Sequence, residues 1–176
     1  TNWYQENPNI NQFNIKTAEE LAGLAVLNNN HNIDFSGKKI ILNENIDMSN
    51  HYWTPIGTSA SPFKGSFDAN NNIIKGITSN DNGQNTYQGL FGVIDHPDSV
   101  IENIKMHESN IIGNHYIGGV AALLKTGTIK NCVVDGSIKL NNSSFLPPED
   151  SISSCDDYPK RKLSLEEIQD TTINSN

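Results

Sequence analysis

The chain has 176 residues, a net charge of -8 and only 18% charged residues, and Asn is its main polar residue. Nucleic acids and anionic membrane surfaces call for clustered Lys and Arg, so this balance excludes both as partners held by charge. The length suits one domain with a continuous core, no apolar run reaches the ~20 residues of a membrane helix, and two cysteines make no disulfide framework.

Residues 1–16 form a polar lead-in in which Trp3, Tyr4 and Phe13 are the anchoring side chains. It carries no basic-then-apolar secretion signal, as expected of a mature or excised segment. Thr17-Ala18-Glu19-Glu20 then matches a capping box, a hydroxyl at the N-cap with a Glu three residues later reaching back. Leu21, Leu24, Ala25 and Leu27 follow at helical spacing and Asn28-Asn29-Asn30 closes the run, which predicts a short helix over 17–28. Lying just before the repeats, it is expected to plug the end of a stack, where core side chains and strand edges need a cap. Strands begin between Phe35 and Met48, with Ile40, Leu42, Ile46 and Met48 on alternate positions. Trp53-Thr54-Pro55-Ile56-Gly57 interrupts them with a turn that carries a large aromatic.

Residues 63–138 repeat one pattern three times. Phe63-Lys64-Gly65-Ser66-Phe67 aligns with Leu90-Phe91-Gly92-Val93-Ile94 and with Val120-Ala121-Ala122-Leu123-Leu124. A second echo follows each block: Ile74-Lys75-Gly76-Ile77, Ile101-Glu102-Asn103-Ile104 and Ile129-Lys130-Asn131-Cys132. The spacing, about 27 to 30 residues, lies in the range of stacked repeats. Strict alternation would put Ile101 and Ile104 on opposite faces, so the chain must turn between them. Gly76, Asn103 and Asn131 hold that place, and Gly and Asn adopt left-handed backbone angles most readily. Beyond the corner, Ile104, Met106, Cys132 and Val134 are expected inside, with Lys105, His107, Val133 and Asp135 outside. Such a chain stacks like on like at about 4.8 Å per coil, giving a β-helix of about four to five coils. Residues 143–176 leave the pattern as an irregular tail, in which Ser164-Leu165-Glu166-Glu167 offers one more helical turn.

Gly89-Leu90-Phe91-Gly92-Val93-Ile94, Ile101-Glu102-Asn103-Ile104 and Tyr116-Ile117-Gly118-Gly119-Val120-Ala121 together resemble the GLUG repeat of bacterial surface proteins. Trp53 to Gly57, Phe63 to Asp68 and Thr17 to Leu21 resemble the segment that leads into those repeats, so the likeness runs from Ile15 to Ile138. It implies an extracellular right-handed parallel β-helix, secreted or attached to a bacterial surface. Adhesin-like proteins and the non-catalytic regions of immunoglobulin A peptidases carry such repeats, and the family brings no catalytic residues. Ala122 departs where the repeat often has Gly, so that corner is expected to differ. Leu165-Glu166-Glu167-Ile168 resembles the closing segment of some arrays, but the chain stops before an aromatic-rich finish, as a truncated segment would.

Several residue groups invite a site. Asp68-Ala69-Asn70-Asn71-Asn72 starts like a calcium loop, yet Ile73 and Ser79 stand where an EF-hand needs Gly and Glu, so a polar turn is expected. His96, His107 and His115 lack the tight spacing of a zinc site. Cys132 stacks on Ile104 as a buried thiol, with a bridge to Cys155 as the alternative. Asp68, Glu102, Glu108 and Asp135 sit where a glycosidase wall would put carboxylates, but without the cationic company an acidic sugar needs. Asn103 and Asn131 are expected to form an amide ladder. Trp53 is expected to pack beneath its turn, which leaves Tyr52, Tyr87 and Tyr116 as the binding candidates, since aromatics with polar tips suit sugar or protein contacts.

The expected fold is thus all-β: a right-handed parallel β-helix over 17–142 with capping helix 17–28, GLUG-like repeats 63–138 and an irregular tail. The expected function is a non-enzymatic stalk or binding module without catalytic residues, metal or cofactor. Its loops would contact a host or neighbouring-cell protein or glycan. Two alternatives stand beside it: a carbohydrate-active enzyme with a carboxylate wall site, and a self-assembling solenoid.

Overall fold

The computed structural model describes residues 2–79 and 85–141. The elements in chain order are α1 (Asn2–Gln5), β1 (Gln12–Ile15), α2 (Ala18–His31), β2 (Lys39–Leu42), β3 (Ile46–Asp47), β4 (Ser66–Asp68), β5 (Ile73–Lys75), β6 (Phe91–Glu102), β7 (Lys105–Gly113), β8 (Ala121–Lys130) and β9 (Val133–Leu140). Among the described residues the fold is mostly β, with two parallel sheets and two helices. One sheet has the order β1-β2-β4-β6-β8 and the other β3-β5-β7-β9. From β2 onward the chain visits the first sheet, turns, visits the second, and returns to lay the next strand parallel to the last.

Register makes columns of like residues. Phe13 faces Ile40, Ile40 faces Phe67, Phe67 faces Ile101 and Ile101 faces Ile129. In the second sheet Ile46, Ile74, Met106 and Val134 form the matching column. Phe13, Ile40, Phe67, Ile101, Ile46, Ile74 and Met106 are all buried. Alternation therefore sends one row of each strand inward, and parallel pairing sets those rows on one another. Aromatic rings add a further column: Phe35 to Phe63 at 6.0 Å and Phe63 to Phe91 at 5.2 Å between centroids. Val134, expected inside, and Ile138 and Leu140 are 36%, 45% and 50% exposed; they lie on β9, the last described strand of its sheet, which pairs on one side with β7.

The lead-in is more than a lead-in. β1 pairs along its whole length with β2, and Trp3 and Tyr4 pack their rings on Phe13 at 5.4 and 5.3 Å. Helix α2 does not precede all the strands: it comes between β1 and β2 in the chain. Its start follows the capping box. The Glu20 N–H donates to Thr17 Oγ1 at 3.2 Å, and Glu20 Oε2 accepts from the Thr17 N–H at 3.3 Å. The expected stop at Asn28 is corrected to His31, with Asn32 in the left-handed C-cap at φ 55°. Asn28 does not break the helix because its amide works elsewhere: Nδ2 donates to Ser61 O at 2.8 Å, from a side chain that is fully buried. Thr17→Ala removes one half of the cap and is expected to cost about 1 kcal/mol, read from urea unfolding.

The first echo is corrected in register. Phe63 bridges to Ile94 rather than to Leu90, and Ile56 is what bridges to Phe91. In consequence Phe67 faces Ile101, and Ile74 faces Met106. Gly76 is therefore not the counterpart of Asn103. It follows β5, donates its N–H to His107 O at 2.8 Å and has φ 75°. With Lys75 facing His107, its counterpart is Glu108, which is also left-handed at φ 52°. The counterparts of Asn103 (φ 59°) are Asn131 (φ 52°) on one side and the pair Asn70 and Asn71 (φ 53° and 62°) on the other. Left-handed residues thus mark more than the one corner expected.

Candidate functional site

The corner that joins the two sheets carries a polar ladder on its outside. Asn131 Nδ2 donates to Asn103 Oδ1 at 3.4 Å, and Asn103 Nδ2 donates to Asp68 Oδ1 at 2.9 Å. Beside it, Lys39 Nζ lies 3.1 Å from Asp68 and 3.5 Å from Glu102, and Lys130 Nζ lies 3.3 Å from Glu102. The two carboxylates do meet on adjacent strands, where Asp68 faces Glu102. Both are engaged by lysines, and Asp135 is an exposed residue of β9 in the other sheet. The Asp68–Asn72 segment is a turn in which the Asn70 N–H donates to Asp68 Oδ1 at 2.9 Å and Asn72 Nδ2 donates to Leu42 O at 2.8 Å. Among the described residues no group of three or more His, Cys, Asp or Glu could hold a metal ion.

Burial alone would raise the Asp68 pKa, but the Asn103 amide, the Asn70 N–H and Lys39 together hold it below the usual carboxylate range. The hydrogen bond to Asp68, opposed by burial and helped by the charges of Asp68 and Glu102, holds Lys39 above its ordinary value. A depressed carboxylate stabilises the fold above its unfolded pKa and loses that contribution as pH falls through the folded one. A raised ammonium stabilises it below its unfolded pKa and loses the contribution as pH rises through the folded one. The pair is complete between about pH 4 and about pH 10. Asp68→Asn is expected to lower stability by under about 1 kcal/mol at pH 7 and to shallow the loss of stability below about pH 4. Urea midpoints measured across that range, with an acid limb as steep in the variant as in wild type, would refute the assignment.

Cys132 is a half-buried thiol whose Sγ donates to Lys130 O at 3.2 Å. Burial pushes its pKa up, which keeps it in the unreactive protonated form. Cys155, the tail over 143–176 and its expected helical turn lie outside the described residues. His107 and His115 are exposed, and His96 is half-buried with Nδ1 accepting from the Asp98 N–H at 3.2 Å.

The aromatic candidates divide into two places. Trp53 is buried beneath its turn, with Nε1 donating to Leu90 O at 3.0 Å. Tyr52 is 66% exposed and stands over a cavity of about 270 Å³ against α2, floored by Ala22, Ala25, Met48 and Trp53. Tyr87 and Tyr116 meet each other instead: their rings stack 4.9 Å apart at an interplanar angle of 8°. The Tyr87 N–H donates to His115 O at 3.0 Å, so the two tyrosines occupy matching places on successive passages. Both are left-handed, at φ 56° and 53°. A second cavity, of about 360 Å³, lies between Tyr87 and the Thr54–Ser59 segment of the preceding passage.

Asn29 and Thr54 line both cavities. Asn29 is a clamp: Nδ2 donates to Pro55 O at 2.9 Å and Oδ1 accepts from the Gly57 N–H at 2.9 Å. No motif marked Asn29 in the sequence, where it reads as part of an Asn run that ends a helix. The stacking of Tyr87 on Tyr116 was equally hidden, since it depends on the register that pairs Gln88 with Ile117. No protein-family model, curated protein or solved structure matches the chain.

Proposed function

We propose that the chain is a right-handed parallel β-helix that acts as a non-enzymatic scaffold and binding module of a secreted or surface-attached bacterial protein. The observation that carries this reading is the register. Two sheets of parallel strands alternate along the chain, with like residues in column and left-handed residues at recurring corners. Parallel strands of one sheet joined by a crossover turn right-handed in nearly all proteins, which supports that hand here. Stacked repeats of this kind make stiff supports, and their loops are where contacts vary. The cavities beside Tyr52 and Tyr87 lie at such loops, next to the turn that begins at Trp53. The GLUG-like sequence of residues 63–138 supports an extracellular setting and a glycan or protein partner.

The enzymatic alternative is weaker because its carboxylates are already matched with Lys39 and Lys130. The test is to present the chain with immobilised host glycans and extracellular proteins and follow retention and product release together. Retention without new reducing ends or cleaved peptide is expected. Turnover of any of these polymers overturns the module reading.

A further inference from the structure

The geometry points to a binding site for a neutral saccharide in the cavity beside Tyr87, with the Tyr87–Tyr116 stack as its aromatic wall. This rests on the binding-module reading and names the ligand class and place. Four observations converge on it. The described residues that line the cavity include Thr54, Thr58, Ser59, Thr86, Tyr87 and Gln88, and none of the described lining residues is charged. In a chain with a net charge of -8, a described lining without charge suits ligands that carry many hydroxyls better than ions. Side chains with hydroxyls or amides both donate and accept, as a sugar hydroxyl does.

The wall supplies the other half of sugar chemistry. An aromatic ring has a negative face, which meets the weakly positive C–H face of a pyranose. Tyr116 braces Tyr87 from the following passage, while the cavity lies on the side of the preceding one. The platform is also fixed before any ligand arrives. Asn29 is clamped at both ends of its amide, and Gln88 Nε2 donates to Thr86 O at 3.1 Å. Preorganisation of this kind lowers the entropic cost of binding.

Backbone strain is the fourth observation. Tyr87 and Tyr116 hold bulky side chains at positive φ, a strained conformation for such residues that clusters at functional positions. Asn70, Asn103 and Asn131 hold left-handed positions at other corners, so a left-handed corner does not itself demand tyrosine. Two strained tyrosines in matching places, face to face at 4.9 Å, are accounted for by a ring surface kept for a ligand. The volume, about 360 Å³, lies at the small end of ligand sites, ~300–1,000 Å³, and suits one or two sugar units of a longer chain.

The test uses the full chain and titration calorimetry against neutral hexasaccharides of glucan, mannan, galactan and xylan type, with oligogalacturonate and heparin fragments as anionic probes. Binding to at least one neutral hexasaccharide is expected. Tyr87→Asn suits the left-handed backbone and removes the ring, so it is expected to weaken binding about tenfold or more while the melting temperature holds within about 3 °C. Ser59→Trp fills the cavity while keeping both tyrosine rings, is expected to weaken binding as much, and decides the matter if Tyr87→Asn misfolds. A blank neutral series, binding confined to the anionic probes or to a peptide, or full affinity in a folded Tyr87→Asn or in Ser59→Trp overturns the site. A protein ligand found in place of a sugar would sink this site and leave the module reading standing. A hexasaccharide that is bound and also shortened would do the reverse.

Discussion

Gly57→Val is expected to leave no cooperatively folded protein, seen as loss of a thermal transition by circular dichroism. Gly57 has φ 86°, and a Cβ there would run into the carbonyl oxygen of Val93 and lie 2.8 Å from the Phe63 nitrogen. Those two atoms hydrogen-bond each other at 2.9 Å, so a side chain at Gly57 would wedge open a link between two passages. Gly92 faces it from the next passage, where a Cβ would meet the Gly57 carbonyl. The two backbones therefore approach because neither residue has a side chain, and the Val93 N–H reaches Gly57 O at 3.2 Å as a result. Left-handed backbone costs an ordinary residue roughly 1–2 kcal/mol, and displaced backbone adds to that, against a total stability of about 5–15 kcal/mol. Gly37 separates the two costs. Its φ is 72°, but a Cβ there would have no neighbour within 4 Å, so Gly37→Ala is expected to cost only the backbone part, about 1 kcal/mol. Similar losses in Gly57→Ala and Gly37→Ala would mean that the close approach carries no weight.

Sequence reaches the parallel, repeating character of the fold because apolar rows and corner residues recur locally. Leu90 to Ile94 and Val120 to Leu124 align as the strands do, with Phe91 facing Ala121 and Ile94 facing Leu124. It misplaces the first echo because counting residues is not counting passages. Phe63-x-Gly65-x-Phe67 has the look of Leu90-x-Gly92-x-Ile94, yet Phe63 already bridges to Ile94, and the register shifts over Asp95 to Val100 then carry Phe67 onto Ile101. A loop can absorb extra residues without moving a column, so the column is invisible to the period. β1 escapes for another reason. Gln12 to Ile15 is too short for a periodic signal, and only Phe13 and Ile15 of its four residues are buried.

The site was legible in its residue types and not in its grouping. Tyr87 and Tyr116 stand out as aromatics in turns, but their stacking follows from a passage that returns to the same corner, which composition does not encode. Tyr52 looks equivalent in sequence and lines a different cavity, against α2. The Asn run shows the same limit from the other side. Asn28 and Asn29 read as helix breakers by intrinsic preference, whereas tertiary bonds to Ser61 and Pro55 keep them helical.

Phe91→Ala is the second large effect, expected at about 3–5 kcal/mol. Phe91 is fully buried, and its ring lies 5.2 Å from Phe63 and 5.6 Å from Phe67. It therefore closes the column that runs from Phe35 through Phe63 and joins it to the inward row of the first sheet. Neighbouring strands are held by the backbone ladder and cannot close the gap independently, so the cavity would persist and its cost with it. The following passage has Ala121 in the facing position, so no ring lies there to swing in and refill the space. Urea unfolding should show a lower midpoint with an unchanged slope, the mark of lost stability without a change in the surface exposed. Phe91→Leu keeps most of the volume and should recover more than half of the loss. At Leu124, where the side chain is already 38% exposed, truncation to Ala should cost under about 1 kcal/mol. A Phe91→Ala loss as small as that would show that the aromatic column is contact without consequence, and the parallel ladders alone would then have to hold the stack.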